Sequence, residues 1–324
     1  MVDTKAFAHN NFLVIGRAGM DLYPEPAGTK IEEAASFRTA LGGSSANICV
    51  AITRQGGKAS LVTCVSDDAV GRFCLGQLDH YGIGRQYVRQ VGGEYRNSLA
   101  LSESRVEEHQ TVIYRNGAAD FQMTTEDVAR IDYAKYAALI TTGTVLASEP
   151  SREATLTAFA HARSHSVPLI FDVDYRPYSW TSAAEASEVY SNAASLCDII
   201  IGNDVEFGFM AGNYDRGLAK ARELAAGTAG IVIYKMGEQG SITMTSEGEF
   251  RTGVFPVQAL KPVGAGDSFM GGFIASLANG HSLKDAVLRG SACAAIVVTR
   301  VGCAPAMPTA QELDAFLQEH QPKD

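Results

Sequence analysis

Short apolar runs recur along the chain, and most are followed by a segment whose apolar positions fall at helical spacing. "NFLVIG" (11–16) and "ASLVTCV" (59–65) are continuous enough to be strands buried on both faces. Between them, "SSANICVAITRQGG" (44–57) reads as a helix, with serine at its N-cap and glycines at its stop. "DAVGRFCLGQLDHYG" (68–82) repeats the helix-then-glycine pattern. "AALITTG" (137–143), "VPLIFDV" (167–173), "CDIIIG" (197–202) and "GIVIYKMG" (230–237) are further candidate parallel strands. Helical segments near 151–165, 182–196 and 215–226 separate them. This alternation predicts an α/β fold, a three-layer, doubly wound, mostly parallel sheet with helices on both faces.

Two stretches break the rhythm. Residues 17–43 carry Pro24, Pro26 and Gly28, and residues 93–124 show period-two segments around a polar turn. Both predict antiparallel strands projecting from the main sheet. They form either a small lid built from two separate chain segments or a pair of edge hairpins. The tail "QEHQPKD" (318–324) predicts a frayed end.

Composition narrows the function classes. The chain has 324 residues, 46% hydrophobic and 19% charged, enough for one large α/β domain or two smaller ones. Its net charge of −9 provides no basic field for nucleic acid, although a local pocket for a small anion is allowed. Six scattered cysteines form no C-x-x-C pair, which argues against a zinc or redox motif and for core thiols of a reducing compartment. No signal-peptide pattern and no apolar run of ~18 residues is seen, so no membrane association and a cytoplasmic location are expected.

Candidate chemistry centres on "PVGAGDSFMGGFIASLANG" (262–280). Ser268–Leu277 predicts a packed helix with Gly264, Ala265 and Gly266 at its N-terminus. Free amides there, together with the helix dipole, favour an anion, and small residues let a phosphate approach the backbone. Asp267 falls in the first turn. A carboxylate beside a phosphate is repulsive unless it has a use, such as accepting the proton of a hydroxyl that attacks it. The structural alternative is a helix cap and a glycine turn. The third glycine of a dinucleotide-binding motif is missing, and there is no G-x-x-x-x-G-K-[ST].

Four segments in order resemble the ribokinase-like, or PfkB, carbohydrate kinases: "LGGSSAN" (41–47), "GNDVEF" (202–207), "YKMGEQGS" (234–241) and "PVGAGDSFMGGF" (262–273). The resemblance spans nearly the whole chain and implies one ribokinase-like domain over 1–324, with a lid from about 17–43 and 93–124. It implies Asp267 as catalytic base and the amides of Gly264, Ala265 and Gly266 as an anion hole for the transferring phosphoryl group. Asn203 and Glu206 would order Mg²⁺, its waters and the phosphates, with Glu206 meeting the metal through water. Lys235, Gly237 and Gly240 would lie along ATP. Asp21, Gly42, Gly43 and Asn47 would meet sugar hydroxyls. A solvated loop role for Asp21 and a structural amide role for Asn47 stay open. The resemblance also suggests a homodimer through the lids.

"FDVDYRPYSW" (171–180) and "VIYRNGAADF" (112–121) are similar to segments of members that act on sugar acids. They suggest Arg176 and Arg115 as forks for a carboxylate, with surface ion pairs as the alternative. The implied substrate is a keto-deoxy sugar acid phosphorylated on a primary hydroxyl, 5-dehydro-2-deoxy-D-gluconate at O6. 2-Keto-3-deoxygluconate, a neutral sugar or a non-catalytic sugar or nucleotide sensor are the alternatives. Where many members carry Asp-Thr-Thr before G-A-G-D, in a region that helps bind a monovalent cation, this chain has Lys261, Pro262 and Val263. The Lys261 ammonium either takes over the cation's electrostatic role or is an exposed lysine in an ion pair. Cys293 falls near where such kinases place adenine, with no role assigned.

Overall fold

A computed structural model describes residues 4–323. Its strands, in chain order, are β1 (Asn11–Ile15), β2 (Gly19–Glu25), β3 (Ser36–Gly42), β4 (Lys58–Ser66), β5 (Gly84–Val91), β6 (Leu99–Ser102) and β7 (Thr111–Tyr114). They continue with β8 (Ala138–Thr142), β9 (Leu169–Asp172), β10 (Ile199–Asn203), β11 (Ile231–Lys235), β12 (Ser241–Thr245) and β13 (Gly248–Thr252). Nine build the large sheet, in the order β13-β12-β11-β10-β9-β8-β1-β4-β5. Pairing is parallel from β5 to β11, and β12 and β13 add an antiparallel edge.

The predicted central strands lack polar alternation because both of their faces are covered. Along β1, Phe12 and Val14 enter one core while Leu13 and Ile15 enter another. Ile199 and Ile201 of β10 divide from Ile200 in the same way. The first core is closed by the helices Ser44–Arg54, Ala265–Ala278 and Leu283–Val298, which pack against one another. The second is closed by Ser151–Ser164, Ala183–Ser195 and Gly217–Ala226. The doubly wound α/β expectation therefore holds.

Some local expectations change. The first helix begins one residue earlier than expected, with Gly43 rather than Ser44 at the N-cap and Ser44 inside. The hairpin β12–β13 and strand β5 were not expected. Their alternation is weak because each is an edge or near-edge element with polar residues on its open side. The tail is tied down, since the backbones of Lys323 and Val254 exchange hydrogen bonds of 2.8 and 3.0 Å.

The two irregular stretches meet in a second sheet, ordered β3-β2-β6-β7. It is not wholly antiparallel, because β2 and β6 come from separate segments and pair in parallel. After β1 the chain builds outward to β4 and β5, and then returns to the other side of β1 with β8. The crevice between β1 and β8 is therefore a topological switch point, the usual place for a ligand at the carboxyl ends of such strands.

Candidate active site

Polar and ionisable residues collect at those carboxyl ends. Asp172, Asn203 and Lys235 are the last residues of β9, β10 and β11. Gly264 caps the helix Ala265–Ala278 with a left-handed backbone (φ +90°), which favours glycine. The first intrahelical bond runs from the Ser268 amide to the Gly264 carbonyl at 3.0 Å. The preceding amides are thus free of the helix ladder and suited to an anion. The Lys235 ammonium hangs over this turn, 3.6 Å from where a side chain on Gly266 would begin.

Asp267 occupies the third helical position. Its Oδ2 accepts a hydrogen bond from Asn47 Nδ2 at 2.9 Å. Burial, reinforced by the nearby Asp174 charge, pushes its pKa up to about 7 against the pull of Asn47, Arg176 and Lys235. A carboxylate poised there is a competent base near neutral pH. Asn47 is thus no mere interior amide. It is buried, it holds the candidate base, and its Oδ1 has no partner among the described residues.

Asn203 and Glu206 form a reciprocal capping box. Asn203 Oδ1 accepts from the Glu206 amide at 2.9 Å, and Glu206 Oε2 from the Asn203 amide at 2.7 Å. Glu206 Oε1 also accepts from the Tyr175 amide at 3.3 Å. Burial raises the pKa of Glu206. Asp172, which sequence reasoning passed over, is buried beside Lys235, Asp174, Glu206 and Asp267, and desolvation holds its pKa well above the usual range. Gly237 and Gly240 bracket a turn after β11, open on the Gly237 side.

Asp21 belongs to β2 and is buried. Tyr23 donates its hydroxyl to Asp21 Oδ2 at 2.8 Å, and desolvation raises the carboxyl's pKa. A Cβ on Gly42 would lie 1.8 Å from Asp21 Oδ1, so only glycine leaves room for this carboxylate. Gly43 sits beside the Arg17 backbone at the start of the first helix.

The two predicted arginines behave differently. Arg176 is half-exposed and pairs with Asp174 at 2.6 Å. Burial pushes the Asp174 pKa up, but Arg176, Ser44, Arg17 and Arg115 together bring it below the usual range. Asp174 Oδ2 is left without a partner among the described residues. Arg115 is not a surface pair and not an open fork. It is buried, it donates through Nε and Nη2 to Asp120, and its Nη1 donates to the Thr144 carbonyl at 3.0 Å. Its guanidinium also stacks 4.1 Å above Phe121.

Lys261 is fully buried, which removes the exposed-lysine alternative. It donates to the carbonyl of Val263, directly before the capping glycine. Burial lowers its pKa, while Cys303, Asp267 and Asp21 oppose that shift. Cys293 is buried, and its carbonyl accepts from Ser268 Oγ at 2.9 Å, so it braces the first turn of the Asp267 helix. All six cysteines are free and buried.

A carboxylate held at the free-amide end of a glycine-capped helix, with a lysine above it and buried polar groups beside it, is suited to phosphoryl transfer. The chain belongs to the pfkB family of carbohydrate kinases, matching it over residues 9–310, and is a phosphotransferase with an alcohol acceptor. It is 42% identical over 315 residues, 95% of each chain, to a 5-dehydro-2-deoxygluconokinase of Photobacterium profundum. Its fold is similar to aminoimidazole riboside kinase from Salmonella enterica, solved with aminoimidazole riboside and an ATP analogue (TM-score 0.80, 26% identity, 95% and 99% of the chains). It is also similar to a putative ribokinase II from E. coli in complex with ATP and Mg²⁺ (TM-score 0.84, 20% identity, 96% and 99% of the chains).

Proposed function

We propose that this protein transfers the γ-phosphoryl group of ATP to the primary O6 hydroxyl of 5-dehydro-2-deoxy-D-gluconate. The observation that carries the phosphoryl-transfer half is Asp267, bonded to Asn47 beside the free amides of Gly264–Gly266 and the Lys235 ammonium. The substrate half is supported by the name of the 42%-identical relative and by the cationic Arg176 at the cleft.

In the reaction, Asp267 takes the proton of the acceptor hydroxyl as its oxygen attacks the γ-phosphorus and the bond to ADP breaks. The amides of Gly264, Ala265 and Gly266, with Lys235, stabilise the charge on the transferring group. Asn47 keeps the carboxylate aimed. Asp21, with Gly42, Gly43 and Asn47, receives the sugar hydroxyls, and Arg176 orients the acid group. Lys235, Gly237 and Gly240 line the nucleotide.

Asp172, Asp174, Glu206 and Asp267 bear on one another's charge, but among the described residues no three acidic groups converge closely enough to hold a metal directly. A divalent cation arriving with ATP would therefore be met through water. Glu206 and Asn203 are the residues to hold Mg²⁺ through water, and the ion supplies charge neutralisation at the phosphates. Lys261, under the anion-hole loop, takes the electrostatic place of a monovalent cation.

The chain works as a single domain in which the second sheet acts as a lid. Its outer strand exposes Val112 and Tyr114, which supports a homodimer through the lids. No described helix is long and apolar enough to cross a membrane, and with six free thiols this supports a cytoplasmic setting. A coupled ADP-release assay across keto-deoxy aldonates and neutral sugars tests the reading. ADP release should be fastest with 5-dehydro-2-deoxygluconate and should stop when EDTA removes magnesium. A neutral hexose outperforming every acid would refute the substrate assignment.

A further inference from the structure

Arg17 directly follows β1 and Gly16, at the switch-point crevice between β1 and β8. It is only 8% exposed. Its Nη1 donates to Ser98 Oγ at a long 3.4 Å, its Nε has no partner, and it forms no ion pair among the described residues. A guanidinium offers five N–H donors, and burying one so poorly matched is costly. The other two arginines of the cleft differ, since Arg115 is spoken for by Asp120 and Arg176 by Asp174.

Three arginines from three chain segments act on the same neighbours, Asp174 and Tyr178. Asp120 and Asp174 match two of them, which leaves Arg17 as the excess cation. Asp21 and Asp174 both feel the Arg17 charge, but neither forms an ion pair with it among the described residues, and Asp21 Oδ2 is engaged with Tyr23. Asp174 Oδ2 and Asn47 Oδ1, also buried and unpartnered, show that this crevice is built for a polar ligand. A buried cation without its anion, among polar atoms without partners, fits an anionic substrate that completes the set.

We propose that Arg17 is the specificity-determining residue that reads the substrate's carboxylate, donating from Nε and Nη to its two oxygens, with Arg176 orienting the same group from the cleft edge. This rests on the sugar-acid reading above and names a residue that reading did not include.

The test compares 5-dehydro-2-deoxygluconate with its carboxamide, which keeps the shape and removes the charge. In the wild type the acid should be preferred. Arg17→Met should raise KM for the acid about 10- to 100-fold, the scale of lost hydrogen bonds to a charged group. kcat should change far less, and the acid-over-amide preference should collapse. Arg17→Lys, which keeps charge without the fork, should retain part of the preference. It carries the test if the methionine variant does not fold, with thermal melting as the check. If both substrates lose equally, or the preference survives in the Met or Lys variant at wild-type strength, Arg17 is structural and the proposal is overturned. If the wild type itself shows no preference for the acid, the sugar-acid reading falls, and the Arg17 assignment with it.

Discussion

On the large-sheet side of the cleft, polar and ionisable groups sit at the ends of regular elements. Asp172, Asn203 and Lys235 close three parallel strands, and Asp267 opens a helix. On the small-sheet side, Asp21, Arg17 and Arg115 are embedded in or next to strands of a mixed sheet, and each is fixed by a side-chain partner or left waiting for one. The first side draws on backbone amides and dipoles, which any sequence with the right glycines and small residues can supply. The second draws on particular side chains, and the proposed recognition of the sugar acid lies there. Chemistry and specificity are therefore separable by mutation.

The largest effect should follow Asp267→Asn. kcat should fall about 10²- to 10⁴-fold with sugar binding largely kept, the usual scale for losing a general base. Turnover near the wild-type rate would remove Asp267 from the chemistry. The same residue sets a pH dependence. With its pKa at about 7, the base is ionised above neutrality, so kcat/KM should fall as pH drops through 7, and that limb should vanish in the asparagine variant. For stability the sign is reversed. The folded state binds this proton more tightly than the unfolded chain, whose carboxyl titrates near 3.8. The contribution is therefore complete below that value and is lost as pH rises through 7.

Arg115→Ala should act on the fold more than on the substrate. It strands Asp120 in a buried site, a change that costs about 3–5 kcal/mol. Urea denaturation should show the loss, and an unchanged midpoint would return Arg115 to the list of free substrate ligands. Arg176→Ala, on the half-exposed side of its pair, should mainly raise KM for the sugar acid, by about 10-fold or somewhat more. An unaltered KM would take it out of the site.

The smallest expected change is at Lys261. Its ammonium acts one step removed from the reacting atoms, so Lys261→Met should lower kcat by about 10-fold, less than the loss of a direct oxyanion donor. Added K⁺ should recover part of that activity, while the wild type should respond little to K⁺. A wild type that needs K⁺ for turnover would show that the lysine is not the cation's substitute.

Much of this was legible in the chain. Continuous apolar runs such as Ile199–Ile201 and Ile231–Ile233 mark strands covered on both faces, because a half-exposed strand would alternate. The glycine-capped Asp267 helix is likewise written locally, in the preference of its cap for left-handed backbone and in the small residues before the acid. The charged residues just behind buried strands, Arg17 after β1 and Asp172 at the end of β9, gave a usable signal that pattern reading passed over.

What only the tertiary structure decided is partnership. The same residue type, arginine, is locked at 115, paired at the cleft edge at 176 and unmatched at 17; Asp120 and Asp174 are local partners, but the Thr144 carbonyl that completes the lock on Arg115 comes from 29 positions away. Asn47 and Asp267 lie 220 positions apart, yet they share the hydrogen bond that aims the base. Lys261 is buried near Asp21, Asp267 and Cys303, groups from separate segments, whereas composition alone favours lysine in water. Local propensity and periodicity act over a few residues, so the chain alone determines its elements and their chemical menu. Desolvation and pairing depend on which distant segments meet, so the charge state and the task of each group are settled only by the fold.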